Sequence, residues 1–319
     1  MTGSPFGNTA LYIEQDNRAD AILCDCGHLR DLGEKALTRV RTMFISHTHI
    51  DHFIDFDHWL AAWVRLGRDR SELGEVACFG PRGFIRNVEG KLMGYTWNLI
   101  ECHLHIACTE IHGGQRRTVR FDSDSAFAAG EAILSGGDAI WEDDRLTVHC
   151  AQLDHKMPSL AYAVEEKPVQ VVDKDALAQS DLGPGSWIRE FKEAVAARRP
   201  ADTVIDTPRG PLPLGTLGPK LLREKRGQKL AFVTDTIYNK QTAPRIEALV
   251  RGADFLFIEA AFSHRDLEKA RETYHLTARQ AGRLAAAAGV KQIELFHFSS
   301  RYTDREPELR REALEAMGR

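Results

Sequence analysis

The stretch that decides the fold runs from residue 46 to residue 52 and reads Ser46-His47-Thr48-His49-Ile50-Asp51-His52. It follows the apolar run 40–46, which is short and rich in β-forming residues and predicts a buried strand. Residues 56–66 come next, with apolar side chains at helical spacing. The stretch is therefore predicted to be a loop between a strand and a helix, a position where functional residues are common.

Three imidazoles and one carboxylate within this loop are costly to bury unless a cation binds them. In a loop that turns into a helix, His47 and His49 can face one cation while Asp51 and His52 face a second. Nitrogen and oxygen ligands of this kind suit zinc or another divalent first-row metal. The alternative is a solvated, histidine-rich loop.

Further candidate ligands stand at the ends of later apolar runs. His155 ends the run 146–155, Asp235 ends the run 229–235, and His297 lies near the end of 291–299. Side chains at the carboxyl ends of separate strands can converge on one site. Each of these residues taken alone would more often be an ordinary polar residue at a strand end, but the His-rich loop favours the metal interpretation.

Composition sets the class of protein. Of the 319 residues, 43% are hydrophobic and 28% are charged, which excludes a disordered, collagenous or coiled-coil chain. No stretch approaches the roughly 18 uninterrupted apolar residues of a membrane span, so we expect no membrane partner. Six scattered cysteines without a Cys-x-x-Cys pair indicate free thiols, and we predict a cytoplasmic protein.

The remainder of the chain reads as strands and helices around one unusual interval. Residues 10–25 predict a β-hairpin, 254–262 a strand, and 277–290 a helix. The interval 165–227 is rich in proline and glycine and reads as an excursion from the core. Ten basic residues against five acidic ones between 186 and 229 make this part of the chain net positive, although the net charge of the chain is -4.

These motifs resemble the metallo-β-lactamase superfamily and, within it, the ribonuclease Z branch. The His-x-His-x-Asp-His string marks the superfamily, while the later motifs favour the branch. The resemblance runs through Asp25 in ILCDCG, His155 in DHKMPSLAY, Asp235 in FVTDT, Glu259 in FIEAAF, His275 in YHLTARQA and His297 in HFSSRY.

The resemblance implies two metal ions, with zinc expected and manganese or iron as alternatives. One metal ion would be held by His47, His49 and His155, and the other by Asp51, His52 and His297. Asp235 would bridge the two ions, and Asp25 would orient the ligands.

The resemblance also assigns roles in the reaction. Asp51 would accept the proton of the attacking water, and His275, oriented by Glu259, would donate a proton to the leaving group. The alternative for His275 is a residue at a helix start capped by Thr277. We also predict that substrate contacts Ser159, Ser299 and Arg301.

The implied fold is a four-layer αββα sandwich with two mixed sheets and a protruding arm. We predict one domain, residues 1–319, with the arm inserted at about 165–227. The resemblance gives this arm the task of gripping transfer RNA. Trp187 and Phe191 would either stack on unpaired bases or stabilise the packing of the arm.

The leading function is a binuclear phosphodiesterase that cleaves the 3′ trailer from precursor transfer RNA, and we expect a homodimer. Three features depart from the branch: a short amino terminus, a segment 53–72 that is not glycine-rich, and Ala161 where glycine is usual. A small-molecule phosphodiesterase, acting for example on cyclic nucleotides, is therefore an alternative, with segment 53–72 closing over its pocket. A lactonase or lactamase and a non-catalytic RNA-binding module are further alternatives.

Overall fold

The computed structural model describes residues 1–70, 72–100 and 102–319. These residues form two compact units. The larger unit consists of residues 1–142, 147–164 and 229–319, and the smaller one of residues 143–146 and 165–228.

The larger unit contains a mixed sheet whose seven described strands lie side by side in chain order. Its central strands are parallel, and the strands at either end run antiparallel to their neighbours. The strands are β1 (Leu11–Glu14), β2 (Ala21–Cys24), β3 (Val40–Phe44), β4 (Glu72–Pro81), β5 (His103–His112), β6 (Gln115–Asp122) and β7 (Ile133–Gly136).

A second mixed sheet has six strands in the order β17-β16-β15-β10-β9-β8. The pairs β15–β16 and β16–β17 are parallel, which brings the carboxyl ends of these three strands to one edge. The strands are β8 (Trp141–Glu142), β9 (Leu146–Asp154), β10 (Pro158–Glu166), β15 (Lys229–Val233), β16 (Phe255–Glu259) and β17 (Gln292–Phe296).

The two sheets pack face to face through aromatic side chains. The ring of Phe44 in β3 lies 5.2 Å from the ring of Tyr162 in β10. The Tyr162 hydroxyl donates a hydrogen bond of 2.6 Å to the carbonyl of Ile45, so the phenol is satisfied although its ring is buried.

Helices cover the outer face of each sheet. Trp59 and Trp63 of the third helix are fully buried against the first sheet. Leu284 and Leu309, from the tenth and eleventh helices, are fully buried in the core of the second. The helices of the larger unit are α1 (Glu34–Leu37), α2 (Ile50–Phe53), α3 (Phe56–Leu66), α4 (Phe84–Met93), α8 (Thr242–Val250), α9 (Leu267–Thr273), α10 (Ala278–Ala287) and α11 (Glu306–Met317).

The result is the predicted four-layer αββα sandwich. The hairpin predicted at 10–25 is formed by β1 and β2, which pair from Leu11↔Cys24 to Glu14↔Ala21. The predicted helix over 56–66 is α3, and the predicted helix within 277–290 is α10. Thr277 caps α10 through a capping box with Gln280, which satisfies two amide groups at the helix start.

The smaller unit has its own apolar core, and it contains strands although the sequence shows no strong strand pattern after Val172. Two antiparallel pairs and three helices surround the core. These elements are β11 (Val169–Val172), α5 (Lys174–Gln179), α6 (Trp187–Ala196), β12 (Val204–Thr207), β13 (Gly210–Pro213), α7 (Leu214–Leu221) and β14 (Leu222–Lys225). Trp187 and Phe191 are buried in this core, which favours the packing role and excludes stacking on bases.

The cysteines are all free thiols, and five of the six are buried. Within the described ranges, no helix is long and apolar enough to cross a membrane.

Candidate metal centre

The His-rich loop follows β3 and sits where the two sheets meet. The Leu160 amide of β10 donates to the Ser46 carbonyl at 2.9 Å, and the Ile45 amide donates to the Phe79 carbonyl at 2.7 Å. These bonds tie the loop to both sheets. His47 is fully buried, and His49 is the N-cap residue of the short helix α2, which carries Asp51 and His52.

One group of potential ligands consists of His47, His49, His155 and Asp235, whose ligand atoms all lie within 4.8 Å of one another. Nε2 of His155 lies 3.5 Å from Oδ2 of Asp235, and Nε2 of His47 lies 3.7 Å from the same oxygen. His155 follows β9 and Asp235 follows β15, so these ligands come from both sheets.

A second group consists of Asp51, His52 and His297. Nε2 of His297 lies 3.4 Å from Oδ2 of Asp51 and 3.5 Å from Oδ1 of Asp235. Nε2 of His52 lies 3.4 Å from Oδ2 of Asp235. The buried carboxylate of Asp235 therefore faces both groups, as a bridging ligand must.

The spacing of these atoms fits divalent cations. With bonds of about 2.0–2.2 Å to nitrogen and oxygen, two ligands of one tetrahedral ion lie about 3.3–3.6 Å apart. Four of the imidazole–carboxylate separations, at 3.4–3.5 Å, lie in this range, and that of His47 from Asp235, at 3.7 Å, is slightly longer. They are too long for good hydrogen bonds, and Nε2 of His52 is buried without a hydrogen-bond partner.

The outer nitrogen of each buried histidine has its own partner. Nδ1 of His52 donates to Oδ2 of Asp25 at 2.8 Å, and Nδ1 of His155 donates to the Tyr274 carbonyl at 2.8 Å. Nδ1 of His47 lies 3.1 Å from the Ser46 hydroxyl. Assigned from these acceptors, the tautomers leave the Nε2 atoms of His52 and His155 without a proton, as metal ligation requires. Nε2 of His47 lies 2.9 Å from Nδ1 of His49, a member of the same ligand group.

Asp25 holds the loop from behind. Its two oxygens accept hydrogen bonds from the Ser46 amide at 2.6 Å, the Ser46 hydroxyl at 2.7 Å, and His52. Asp25 is fully buried and touches two residues of the loop without belonging to either ligand group. This is the orienting position that the sequence predicted for it.

The backbone is strained at three of these positions. Asp25, Asp235 and His297 have φ angles of 58°, 27° and 59°, in the left-handed region that non-glycine residues rarely adopt. Such conformations cost about 1–3 kcal/mol each and persist where the surrounding structure enforces them. The strained backbone thus lowers the stability of the fold, and it orients the Asp25 and Asp235 carboxylates and the His297 imidazole.

Gly27 allows the loop to approach the amino-terminal segment. A Cβ atom at this position would lie 1.7 Å from the Asp51 carbonyl oxygen, a contact that no side chain can make. The Gly27 amide donates to the Thr9 carbonyl at 3.1 Å. The position of α2 therefore depends on the absence of a side chain at residue 27.

His275 and Glu259 form a pair beside the metal centre. Nδ1 of His275 donates to Oε2 of Glu259 at 2.9 Å, and Oε1 of the fully buried Glu259 accepts from the Thr236 amide at 2.8 Å. The His275 ring lies 4.8 Å from the His155 ring. Thr277 caps α10 together with Gln280, so His275 is not needed as the cap of this helix.

Electrostatics set the protonation of this region. Burial alone would lower the pKa of His275, but the Glu259 carboxylate raises it to about 9, so the imidazolium is present at neutral pH. Burial would raise the pKa of Asp51, but His297 and His52 lower it well below its ordinary value. His275 thus provides a proton donor, and Asp51 provides an ionised carboxylate beside the same centre.

The three residues predicted to contact substrate differ in position. Ser299 lines a cavity beside the centre, whereas Ser159 is fully buried and lies outside that lining. Arg301 is exposed; its guanidinium stacks 5.2 Å from the Phe262 ring, and Nη1 lies 3.8 Å from Asp266. A contact of Ser159 with substrate stays a prediction.

Sequence reasoning missed several residues of the same cavity, among them Phe6 and Asn8. These two lie in the loop before β1, which we treated only as a shortened amino terminus. A Gly-Asn step before a strand is too common to signal a site, so only the folded structure brings these residues to the centre.

Comparison with known proteins gives the family. Residues 211–298 match the model described as the beta-lactamase superfamily domain. A ribonuclease Z of Deinococcus radiodurans is 30% identical over 317 residues, which cover 95% of this chain and 90% of that protein. The chain belongs to the ribonuclease Z family. A second ribonuclease Z, from a Synechococcus species, is 29% identical. The match covers 92% of this chain and 82% of that protein.

Solved structures agree on the fold. Human tRNase Z, short form, superposes with a TM-score of 0.53 at 16% identity, covering 93% of this chain and 88% of its own. The metallo-beta-lactamase fold protein YhfI from Bacillus subtilis also superposes with a TM-score of 0.53, at 14% identity. The match covers 97% of this chain and 86% of YhfI. The predicted fold, the ribonuclease Z resemblance and the class of metal-dependent hydrolase are thus confirmed.

Proposed function

We propose that this member of the ribonuclease Z family is an endonuclease that removes the 3′ trailer of precursor transfer RNA and leaves a 3′ hydroxyl. One observation carries the proposal: the buried Asp235 carboxylate faces two separate groups of ligand atoms in a chain of this family. Two divalent cations at this centre, zinc in our proposal, would polarise the phosphodiester and favour an in-line attack by water. Manganese or iron would suit the same ligands.

The side chains of the protein supply the proton transfers. Asp51 is ionised and lies at the edge of the cavity, where its carboxylate can accept a proton from the attacking water. His275 lines the same cavity, and its Nε2 proton is available to the leaving 3′ oxygen. Glu259 holds the imidazolium in place through Nδ1.

The alternative of a small-molecule phosphodiesterase depended on segment 53–72 closing over the pocket. Ser71 lies outside the described residues. The large side chains of the rest, Phe53, Phe56, Trp59 and Trp63, are buried in the core, and the cavity lining includes none of them. No observation therefore favours this alternative, the lactonase or lactamase, or the RNA-binding module.

The proposal includes contact between RNA and the segment 165–227, which we interpret as an arm inserted into a single domain. On α6 and just after it, Lys192, Arg198 and Arg199 are exposed and have no ion pair with a described residue. Replacing the three residues with alanine should weaken RNA cleavage. The slope of log K for RNA binding against the logarithm of the salt concentration should become shallower by about 0.7–0.9 per lost phosphate contact. Deleting the segment would remove Trp187 and Phe191 from their core, so charge removal is the cleaner test.

The deciding experiment supplies zinc-loaded protein with a precursor transfer RNA carrying a 3′ trailer and maps the cut end. We expect one cut after the acceptor stem, absent in Asp235→Ala and retained in Asp122→Ala, a surface control. Hydrolysis of a small diester without any RNA cleavage would overturn the proposed substrate.

Three further proposals have their own tests. Metal content measured by mass spectrometry tests zinc, and molecular mass measured by light scattering tests the homodimer. Fractionation of cells tests the cytoplasmic location.

A further inference from the structure

A cavity of about 350 Å³ opens directly beside the metal centre. Its lining includes three residues of the centre, Asp51, His275 and His297. The lining also includes aromatic and small polar side chains that the reaction does not use: Phe6, Asn8, Phe262, Phe298, Ser299 and Ser300. Its volume lies at the lower end of the range of small-ligand pockets, which suits a single nucleoside.

The Phe6 side chain is half-buried in the cavity lining, and the loop that carries it is fixed at both ends. The Thr2 amide donates to the Ala10 carbonyl at 2.9 Å, and the Phe298 amide donates to the Pro5 carbonyl at 2.8 Å. The Phe6 ring lies 5.4 Å from the Phe298 ring. An aromatic ring held in this way presents a flat apolar face at little cost in conformational entropy.

The polar side chains next to Phe6 have unused hydrogen-bonding capacity. The carboxamide of Asn8 and the hydroxyls of Ser299 and Ser300 form no side-chain hydrogen bond with any described residue. A carboxamide offers two donors and one acceptor, which match the mixed donors and acceptors along the edge of a nucleobase. An aromatic face beside such groups is the arrangement that binds unpaired bases.

The position of the proton donor identifies which base enters. His275 must reach the oxygen that leaves, and it lines the same cavity. In cleavage that leaves a 3′ hydroxyl, this oxygen belongs to the nucleotide on the 5′ side of the scissile bond. Building on the proposed function, we infer that the cavity binds the base of this last retained nucleotide by stacking on Phe6.

The test measures single-turnover kcat/KM on two precursor RNAs, one intact and one abasic at the last retained nucleotide. Phe6→Leu should lower kcat/KM on intact RNA by about 5- to 150-fold, the range for losing one base–aromatic stack. Phe6→Tyr, which keeps an aromatic face, should retain most of the activity. Metal content and thermal midpoint should be the same for all three proteins.

The abasic substrate closes a double-mutant cycle. Wild-type protein should lose a similar factor on abasic RNA, and Phe6→Leu should lose little more, because the stack is already gone. An RNA that is abasic at the first trailer nucleotide serves as the matched control and should be cut at nearly the normal rate by both proteins.

Three results would count against the inference. Unchanged cleavage of the abasic RNA by wild-type protein, or losses that multiply in the cycle, would overturn the stacking pocket and leave the proposed function standing. Failure of the wild-type protein to cut any RNA would overturn both. If Phe6→Leu fails to fold, the abasic RNA with wild-type protein still decides the question.

Discussion

Two His-x-His pairs, one beyond the end of a strand of the first sheet and one inside another strand of that sheet, have different surroundings. His47 and His49 follow the end of β3 and contribute to a group of four potential ligands. His103 and His105 lie inside β5 and pair with surface carboxylates: His103 with Asp124 at 2.7 Å and, more distantly, with Glu72 at 3.8 Å, and His105 with Asp122 at 2.5 Å. Neither of them belongs to a group of three or more ligands among the described residues.

The comparison shows that position in the strand matters more than the spacing of the histidines. Inside a strand, residues at i and i+2 point to the same face and meet only the neighbouring strands. Beyond a strand end, the chain turns, and residues from other strand ends converge on the same volume. In this chain, the His-x-His pair that follows a strand joins a ligand group, and the pair inside a strand does not.

The largest expected effect comes from removing the carboxylate that faces both ligand groups. Asp235→Ala should reduce hydrolysis to background and weaken metal binding by more than about 100-fold, since even an outer partner of a ligand is worth about 10- to 100-fold. Metal analysis and turnover of a small diester measure both effects. His105→Ala provides the matched control and should retain full metal content; equal losses in the two variants would erase the distinction between the pairs.

His275→Ala should slow cleavage of RNA by about 10²- to 10⁴-fold, the usual contribution of a general acid. A diester with a nitrophenolate leaving group needs no proton, so it should lose far less. Because the acid must be protonated, wild-type activity on RNA should fall as pH rises through the raised pKa of His275, about 9. Equal losses on both substrates would remove His275 from this role.

Asp25→Asn tests the support behind the loop. The amide keeps the shape but loses the charge that holds Nδ1 of His52, and we expect metal affinity to fall by about 10- to 100-fold. Titration with a competing chelator measures this affinity, while circular dichroism checks that the fold is retained. Unchanged affinity would mean that the loop needs no carboxylate behind it.

The smallest effect belongs to the pair within β5. His105→Ala should destabilise the protein by only about 0.2–1 kcal/mol, because its ion pair with Asp122 is partly exposed. Burial raises the pKa of Asp122, but hydrogen bonds from His105 and Arg120 lower it below its ordinary value of 3.8. The stabilisation is therefore present above pH 3.8 and lost as pH falls through the lowered pKa. Urea unfolding at several pH values measures it; a larger difference at acidic pH would contradict this assignment.

Much of the centre could be predicted from the sequence because its ligands follow apolar runs. The runs before His155, Asp235 and His297 correspond to β9, β15 and β17, and the structure brings all three residues to one place. The polar residue that ends a buried run is a local signal. It needs no knowledge of how the strands are ordered.

The parts that escaped prediction depend on distant contacts. The strands β12, β13 and β14 are four residues each, and β12 and β13 contain or adjoin glycine and proline, so their pairing outweighs weak local propensity. Ser159 stands in a motif with functional neighbours, yet the alternation of β10 turns its side chain into the interior. Phe6 is brought to the centre by distant contacts, among them the bond between the Pro5 carbonyl and the Phe298 amide after β17.

The wide separation of the ligands along the chain has a consequence for biosynthesis. Asp51 and His297 approach to 3.4 Å but are 246 residues apart in sequence. At about 5–20 residues per second, a ribosome needs roughly 10–50 seconds to pass from one to the other. During this interval the nascent chain carries His47, His49, Asp51 and His52 without their later partners. Loading of both metal ions must therefore follow translation of the last strand, and a nascent chain cannot cleave RNA beside the ribosome that makes it.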